Sequence, residues 1–269
     1  MTAGDVTKFA AVDTTADHDF FIRFVDDANR FPSVVECKRK IIDALQLAPG
    51  QHVLELGCGC GDDARALAQI VGPNGRVTGI DISEAMVGES AKRGPGEHRN
   101  VEFRQADAQQ LPFPDHSFDR CRTERVLLHV PDCARAIREV ARTLKPGGRF
   151  AAFDFDWDAM VIPHPDRLLT RRIVHGTCDG LKNGHIGREL PGLMRAAGLQ
   201  DLTVVPHANI AASMAFFRTI LQGAVEGLVQ RGAISLEESA RWWKQVDEVD
   251  ARGDFFAALN GFVVAGRKV

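Results

Sequence analysis

His52-Val-Leu-Glu-Leu-Gly-Cys-Gly-Cys-Gly-Asp-Asp63 is a short apolar run that leads straight into three closely spaced glycines and then two carboxylates. The continuation to Ile70 is rich in Ala and Leu, and Asp62 and Asp63 stand where acidic residues favour a helix N-terminus. The expected order is therefore strand, glycine loop, helix. In an open parallel sheet that unit holds a nucleotide-type cofactor, because a backbone without Cβ atoms can turn tightly and approach a ligand.

The pattern repeats outward from this stretch. Val34, Cys37, Ile41 and Leu45 mark a preceding helix over 33–46, stopped by Pro49-Gly50. Downstream, strands are expected at 76–82, 101–106, 118–123 and 149–155. Helices are expected from Ser83 to about Arg93 and over 132–144, the latter ended by Lys145-Pro-Gly-Gly148. Alternating strands and helices imply a parallel sheet covered on both faces. Beyond Asp158 the spacing predicts helices at 167–177 and 189–197 with Gly198 closing the second. It also predicts a strand at 202–205, helices at 214–230 and from Ser235 to about Val249, and a last strand at 255–266. The fold class is α/β: a Rossmann-like, doubly wound seven-stranded sheet with helical lid elements. One domain over 1–269 is expected, with a helical lid at 1–46, a cofactor-binding core at 47–158, and acceptor-side helices and C-terminal strands at 159–269.

Composition narrows the class. A formal net charge of −3 offers no overall footprint for nucleic acid. No apolar leader opens the chain and no run approaches a membrane span, so a cytoplasmic protein is the default. Six cysteines are present without a Cys-x-x-Cys pair, which predicts reduced, apolar filler thiols and no metal.

The glycines also discriminate between cofactors. Asp62 occupies the position of the third dinucleotide glycine, so two carboxylates would face a pyrophosphate. A cofactor with a cationic sulfonium and an amino-acid end meets no such penalty. Asp81, at the end of the next strand, can accept both ribose hydroxyls, and Asp107 ends the third strand beside Ala108.

Together these pieces resemble the class I S-adenosylmethionine-dependent methyltransferases, notably the ubiquinone/menaquinone type. Val53 to Gly61, Gly79-Ile-Asp-Ile-Ser83, Asp107-Ala-Gln-Gln-Leu-Pro-Phe-Pro114, Ser117-Phe-Asp119 and Leu144-Lys-Pro-Gly-Gly148 occur in that family's order and spacing. The ending Asn260-Gly-Phe-Val-Val-Ala-Gly-Arg267 resembles its antiparallel last strand. The resemblance implies S-adenosylmethionine as cofactor and a small, apolar methyl acceptor. It sets Gly57, Gly59 and Gly61 in the cofactor loop, Glu55 at the methionine ammonium, Asp81 at the ribose, Ile82 on the adenine, and Asp107 with Ala108 at the adenine edge. Thr123 to Arg125 match the segment beside the methyl donor, with Arg125 a partner for the methionine carboxylate. Thr123-Glu-Arg-Val126 stands where nucleic-acid enzymes of the class carry Asn-Pro-Pro-aromatic.

Methyl transfer needs alignment and exclusion of water, and a base only for a poor nucleophile. No triad is visible. His129, His175 and His185 are candidate acid–base groups, each weighed against a packing or surface role; Asp154 and Asp156 are weighed against strand-end solvation. The Phe-rich stretch 20–31 reads either as a lid or as a packed amphipathic helix, and Trp242-Trp243 either as acceptor-facing or as core. Lys38-Arg39-Lys40 reads as a solvated helix face. A protein of the same fold that binds the cofactor without transferring methyl is the alternative reading.

Overall fold

The computed structural model describes residues 6–15, 17–94, 100–211 and 214–269. A 3-10 helix, Val6–Thr14, precedes α1 (His18–Ala28) and α2 (Pro32–Leu45). The α/β core follows as β1 (His52–Leu56), α3 (Asp62–Val71), β2 (Arg76–Asp81), α4 (Glu84–Lys92), β3 (Val101–Gln105), β4 (Phe118–Glu124), α5 (Cys133–Thr143) and β5 (Leu144–Val161). The remainder is α6 (Arg167–Gly180), α7 (Ile186–Ala196), β6 (Leu199–Ala211), α8 (Met214–Gln230), α9 (Leu236–Ala251) and β7 (Ala257–Lys268).

The seven strands form one sheet in the order β3-β2-β1-β4-β5-β7-β6. Pairings from β3 to β5 are parallel, and β7 runs antiparallel between β5 and β6. The strand order reverses beside β1, so the carboxyl ends of β1 and its neighbours open a crevice there, the usual ligand position in such sheets.

Local chemistry explains the element ends. Ser83 caps α4 by accepting from the Met86 N–H at 3.2 Å, Asp132 caps α5, and Ser235 with Glu238 closes a reciprocal capping box on α9. The apolar stripe of α2 is buried at Val34, Cys37, Ile41 and Leu45, the positions its sequence spacing marks.

Two strands run well beyond their sequence boundaries and a third is displaced. β5 begins at Leu144, taking in the Lys-Pro-Gly-Gly segment expected to end the preceding helix before a strand at 149–155, and continues to Val161 where β7 supplies partners for Met160 and Val161. β6 covers 13 residues rather than the expected four; it is an edge strand with mostly exposed side chains, so hydrophobic alternation marks little of it. β7 lies two residues later than the expected 255–266, from Ala257 to Lys268, where both its neighbours hydrogen-bond along it. No helix among the described residues is long and apolar enough to cross a membrane.

Candidate active site

The cofactor loop owes its shape to three left-handed glycines. Gly57, Gly59 and Gly61 have φ of 68°, 52° and 81°. A Cβ on Gly57 would lie 2.2 Å from Val126 Cγ2, and one on Gly61 would lie 2.5 Å from the Phe103 ring. Gly59 has nothing within 4 Å in that direction and opens onto a cavity of about 440 Å³. Gly61 is the N-cap residue of α3 and does not line the cavity, so its role is the turn and its packing on Phe103.

Asp81 ends β2 at the rim of this loop. Its Oδ2 accepts from the Gly59 N–H at 2.9 Å and its Oδ1 from the Ser83 N–H at 3.0 Å. Burial raises its pKa, partly offset by those two N–H groups. A carboxylate has about four acceptor sites, so two remain for a ligand. Ile82 beside it is 50% exposed and lines the cavity. Asp107 and Ala108 line the same end. Asp107 accepts from the Gln109 N–H at 2.8 Å and from Gln109 Nε2 at 3.1 Å, fixing the carboxylate.

Parallel register sets Glu55 of β1 beside Arg122 of β4. Both are buried, and the guanidinium of Arg122 donates to Glu55 Oε1 while Glu55 Oε2 has no partner. Arg122 also contacts Asp63 at 3.1 Å and donates to Glu124. Lys38 reaches in from α2, pairs with Asp63, and lies 3.2 Å from Glu124 Oε2. Arg125 Nη2 is 3.0 Å from Glu124 Oε1. Three cations thus meet three carboxylates in a buried network on the cavity wall. Burial drives the Glu55 carboxyl upward against the pull of Arg122. Burial also works to raise Asp63, but Arg122 and Lys38 outweigh it and hold that carboxyl well below the usual range.

This network corrects two sequence readings. Lys38 is an internal ion-pair partner rather than part of a solvated face, and Lys40 lies 3.1 Å from Glu36; only Arg39 of the three is exposed. Asp63 is neutralised by Arg122 and Lys38, and Asp62 pairs with Arg65 at 2.8 Å, so the two carboxylates repel an anion less than their bare charges suggest. A further correction concerns Thr123. It is buried within the sheet, donates to the Leu56 carbonyl at 3.2 Å, and does not line the cavity. Arg125 does line it, in a left-handed backbone conformation with φ of 57°.

The other half of the cavity is apolar. Phe24 of α1, Phe31, Phe155 and Trp157 of β5, and Phe216 and Ile220 of α8 bound it. Phe24 stacks on Phe216 at 5.6 Å and Phe31 meets Phe216 at 4.3 Å, so the N-terminal and late helical segments close one roof. The Phe-rich stretch therefore both packs on the domain and covers the cavity. It is fastened by Arg93, which lies 2.8 Å from Asp26 of α1. Asp13 further ties the N-terminal segment down by accepting from the Glu84 N–H at 2.8 Å.

His129 lines the cavity from a 3-10 turn, Leu127–His129, with its ring 5.7 Å from Phe9. Burial lowers its pKa to about 4, so the imidazole is neutral at pH 7. His175 and His185 do not line the cavity: they lie with Asp158 outside it. Asp154 is fully buried behind the wall and accepts from the Leu128 N–H at 3.3 Å, while Arg188 holds Asp156. Strand-end solvation therefore describes neither carboxylate. Trp242 is core, donating through Nε1 to Thr170 Oγ1 at 3.0 Å, and Trp243 packs on Phe217.

Sequence reasoning missed Lys38, Arg122 and the Phe155–Trp157–Phe216 wall, and it placed Glu124 beside the methyl donor without giving it a partner. A signal existed for the first group. Arg122 and Glu124 interrupt a strand expected to be covered on both faces, where charge is rare unless paired.

Comparison with known proteins agrees with this architecture. A family model described as a methyltransferase domain matches residues 54–152. An uncharacterised 37.1 kDa protein of transposon Tn4556 from Streptomyces fradiae is 37% identical over 91% of this chain and 71% of that protein. The demethylmenaquinone methyltransferase of Listeria welshimeri is 36% identical over 51% of the chain and 61% of its own length. Among solved structures, the [4+2]-cyclase SpnF superposes with a TM-score of 0.52 at 26% identity, over 87% of this chain and 80% of that one. The chain belongs to the class I S-adenosylmethionine-dependent methyltransferases, and S-adenosylmethionine is its cofactor.

Proposed function

We propose that this protein transfers a methyl group from S-adenosylmethionine to an O, N or C atom of a small apolar metabolite. The observation that carries the acceptor class is the aromatic half of the cavity, continuous with the loop that opens at Gly59. The cofactor, when bound, supplies an already activated methyl group, so the chain's own residues need only bind, align and exclude water. The unpartnered Glu55 Oε2 suits an ammonium, and Arg125 suits a carboxylate. Asp81 offers its two free acceptor sites to ribose hydroxyls, Ile82 packs on the base, and Asp107 with Ala108 meets its edge. Gly57 and Gly59 give the backbone its close approach.

His129 is the one histidine of the three candidates on the cavity wall, and its neutral ring can accept a proton from a hydroxyl acceptor. The chain acts as a single domain, with 1–46 as a lid, 47–158 as the cofactor core and 159–269 as the acceptor side. Incubation of the protein with methyl-labelled S-adenosylmethionine and metabolite extracts is the test. A labelled, organic-extractable product supports the reading. Cofactor binding without any labelled product favours the second reading, a binding or cyclising protein of the same fold, which the likeness to a [4+2]-cyclase brings forward.

A further inference from the structure

Three donor groups of different chemistry converge outside the cavity. Asp158 comes from the far end of β5, Cys178 from the last turn of α6, and His185 from the residue that precedes α7. One ligand atom from each lies within 4.8 Å of the other two. His185 Nε2 is 3.5 Å from Cys178 Sγ and 3.9 Å from Asp158 Oδ2. A catalytic relay would engage the two ring nitrogens separately, one toward the thiol and one toward the carboxylate. Here a single nitrogen faces both partners, which is the arrangement of donors around a common point. Tetrahedral zinc with the usual bond lengths to sulfur, nitrogen and oxygen sets the sulfur–nitrogen edge at about 3.6 Å and the nitrogen–oxygen edge at about 3.3 Å. The first edge already matches, and the second needs a shift of roughly 0.6 Å.

The surroundings suit a cation. Asp156, Asp158 and Asp179 bring three negative charges near the thiol, and Arg188 brings one positive charge. Arg188 keeps its fork on Asp156, at 2.7 Å through Nη2, and its contact with Asp158 Oδ2 is a long 3.4 Å. His175, one helical turn before Cys178, hydrogen-bonds the other oxygen of Asp158, as outer partners of metal-bound groups do. The side chain of His185 is 42% exposed, which leaves an entry path.

We infer that Asp158, Cys178 and His185 form a binding site for a thiophilic divalent cation of the zinc class, which fastens the loop between α6 and α7 against the cavity wall. As the metal–sulfur bond forms, the thiol proton leaves to solvent; thiolate and carboxylate then balance the two charges of the ion. A fourth position stays open to water. The loop is the right one to fasten. Asn183 donates through Nδ2 to the carbonyls of Leu127 at 2.8 Å and Val130 at 2.7 Å, and so holds the turn that carries His129. The Gly184 carbonyl accepts from the Trp157 N–H at 2.9 Å. The donors meet only in three dimensions, which is why spacing in the sequence gives no metal signature.

Co²⁺ titration of the reduced, chelator-treated full chain tests this. One equivalent is expected to give a thiolate-to-cobalt charge-transfer band with tetrahedral visible bands, displaced by Zn²⁺. Cys178→Ser is expected to abolish the charge-transfer band. His185→Asn, at a half-exposed loop end, is expected to fold normally by circular dichroism and to lose at least roughly 100-fold in affinity, the upper end of what losing an outer partner alone does. Cys133→Ser, a thiol elsewhere, leaves the spectrum unchanged. Zn²⁺ is expected to raise the melting temperature of the wild type and not of His185→Asn. Absence of a charge-transfer band with several equivalents, or a band that survives Cys178→Ser, overturns the site. Binding without a change in melting temperature overturns the fastening role.

Discussion

Gly57 and Gly59 share the left-handed backbone and differ in what surrounds them, which separates two kinds of requirement. At Gly57 a Cβ would collide with Val126, whereas at Gly59 it would enter the cavity. Gly57→Ala is therefore expected to lower stability by about 2–4 kcal/mol, from overpacking and left-handed strain together. Gly59→Ala carries only the backbone term of about 1–2 kcal/mol, and its main effect is weaker cofactor binding. Urea unfolding beside calorimetric titration with S-adenosylhomocysteine separates the two; equal destabilisation with unchanged affinity would refute the distinction. Asp81→Ala is expected to weaken cofactor binding by about 1–3 kcal/mol, the usual loss for hydrogen bonds to a charged group. An unaltered affinity removes Asp81 from the site. These loop and strand-end residues were legible because special backbone geometry and a carboxylate at a strand end leave marks in the sequence. Thr123 was misread because strand alternation turns its side chain into the sheet, and the family motif does not record side-chain direction.

At the scale of one element, the turn Leu127–His129 couples two groups with opposite titrations. Burial raises Asp154 to about 7 from 3.8, and burial lowers His129 to about 4 from 6.5. For Asp154 the folded pKa lies above the unfolded one, so its contribution is present below pH 3.8 and is lost as pH rises through about 7. For His129 the folded pKa lies below, so its contribution is present above pH 6.5 and is lost as pH falls toward about 4. Each amounts to something on the order of 3 kcal/mol, and between pH 4 and 6.5 they oppose each other. Asp154→Asn leaves the histidine alone, so stability should rise more steeply with pH across this window than in the wild type. His129→Gln leaves the carboxyl alone, and the slope should shift the other way. Denaturant midpoints at several pH values check this, and slopes moving in the same direction in both variants contradict it. The elements themselves were largely legible where burial enforces a period, as in α2, β1 and α8. They were poorly legible in β6, whose side chains face solvent and whose length is set by pairing with β7.

For the molecule as a whole, the sequence marked the cofactor half of the cavity and, of the acceptor half, only Phe24 and Phe31 through the Phe-rich stretch. The first is built from one contiguous βαβ stretch with fixed geometry. The second joins Phe24 and Phe31 to Phe155, Trp157 and Phe216, residues far apart in the chain whose only shared property is being aromatic. Their meeting is a tertiary fact. Phe216 is the joint, stacked on Phe24 at 5.6 Å with an interplanar angle of 12° and tilted on Phe31 at 4.3 Å. Truncating it removes both aromatic contacts, each worth roughly 0.5–1.5 kcal/mol beyond its buried area. Phe216→Ala is therefore expected to loosen α1. Arg23 and Arg30, both largely exposed on that segment, report the change. Brief tryptic digestion should cut there several-fold faster in Phe216→Ala than in the wild type, and Asp81→Ala should not share the increase. Cleavage at the wild-type rate would mean that the N-terminal cover is held by its other contacts, among them Asp26, Asp13 and the packing of Phe21 on Cys60 and Met86, and that the aromatic joint does not bear on it.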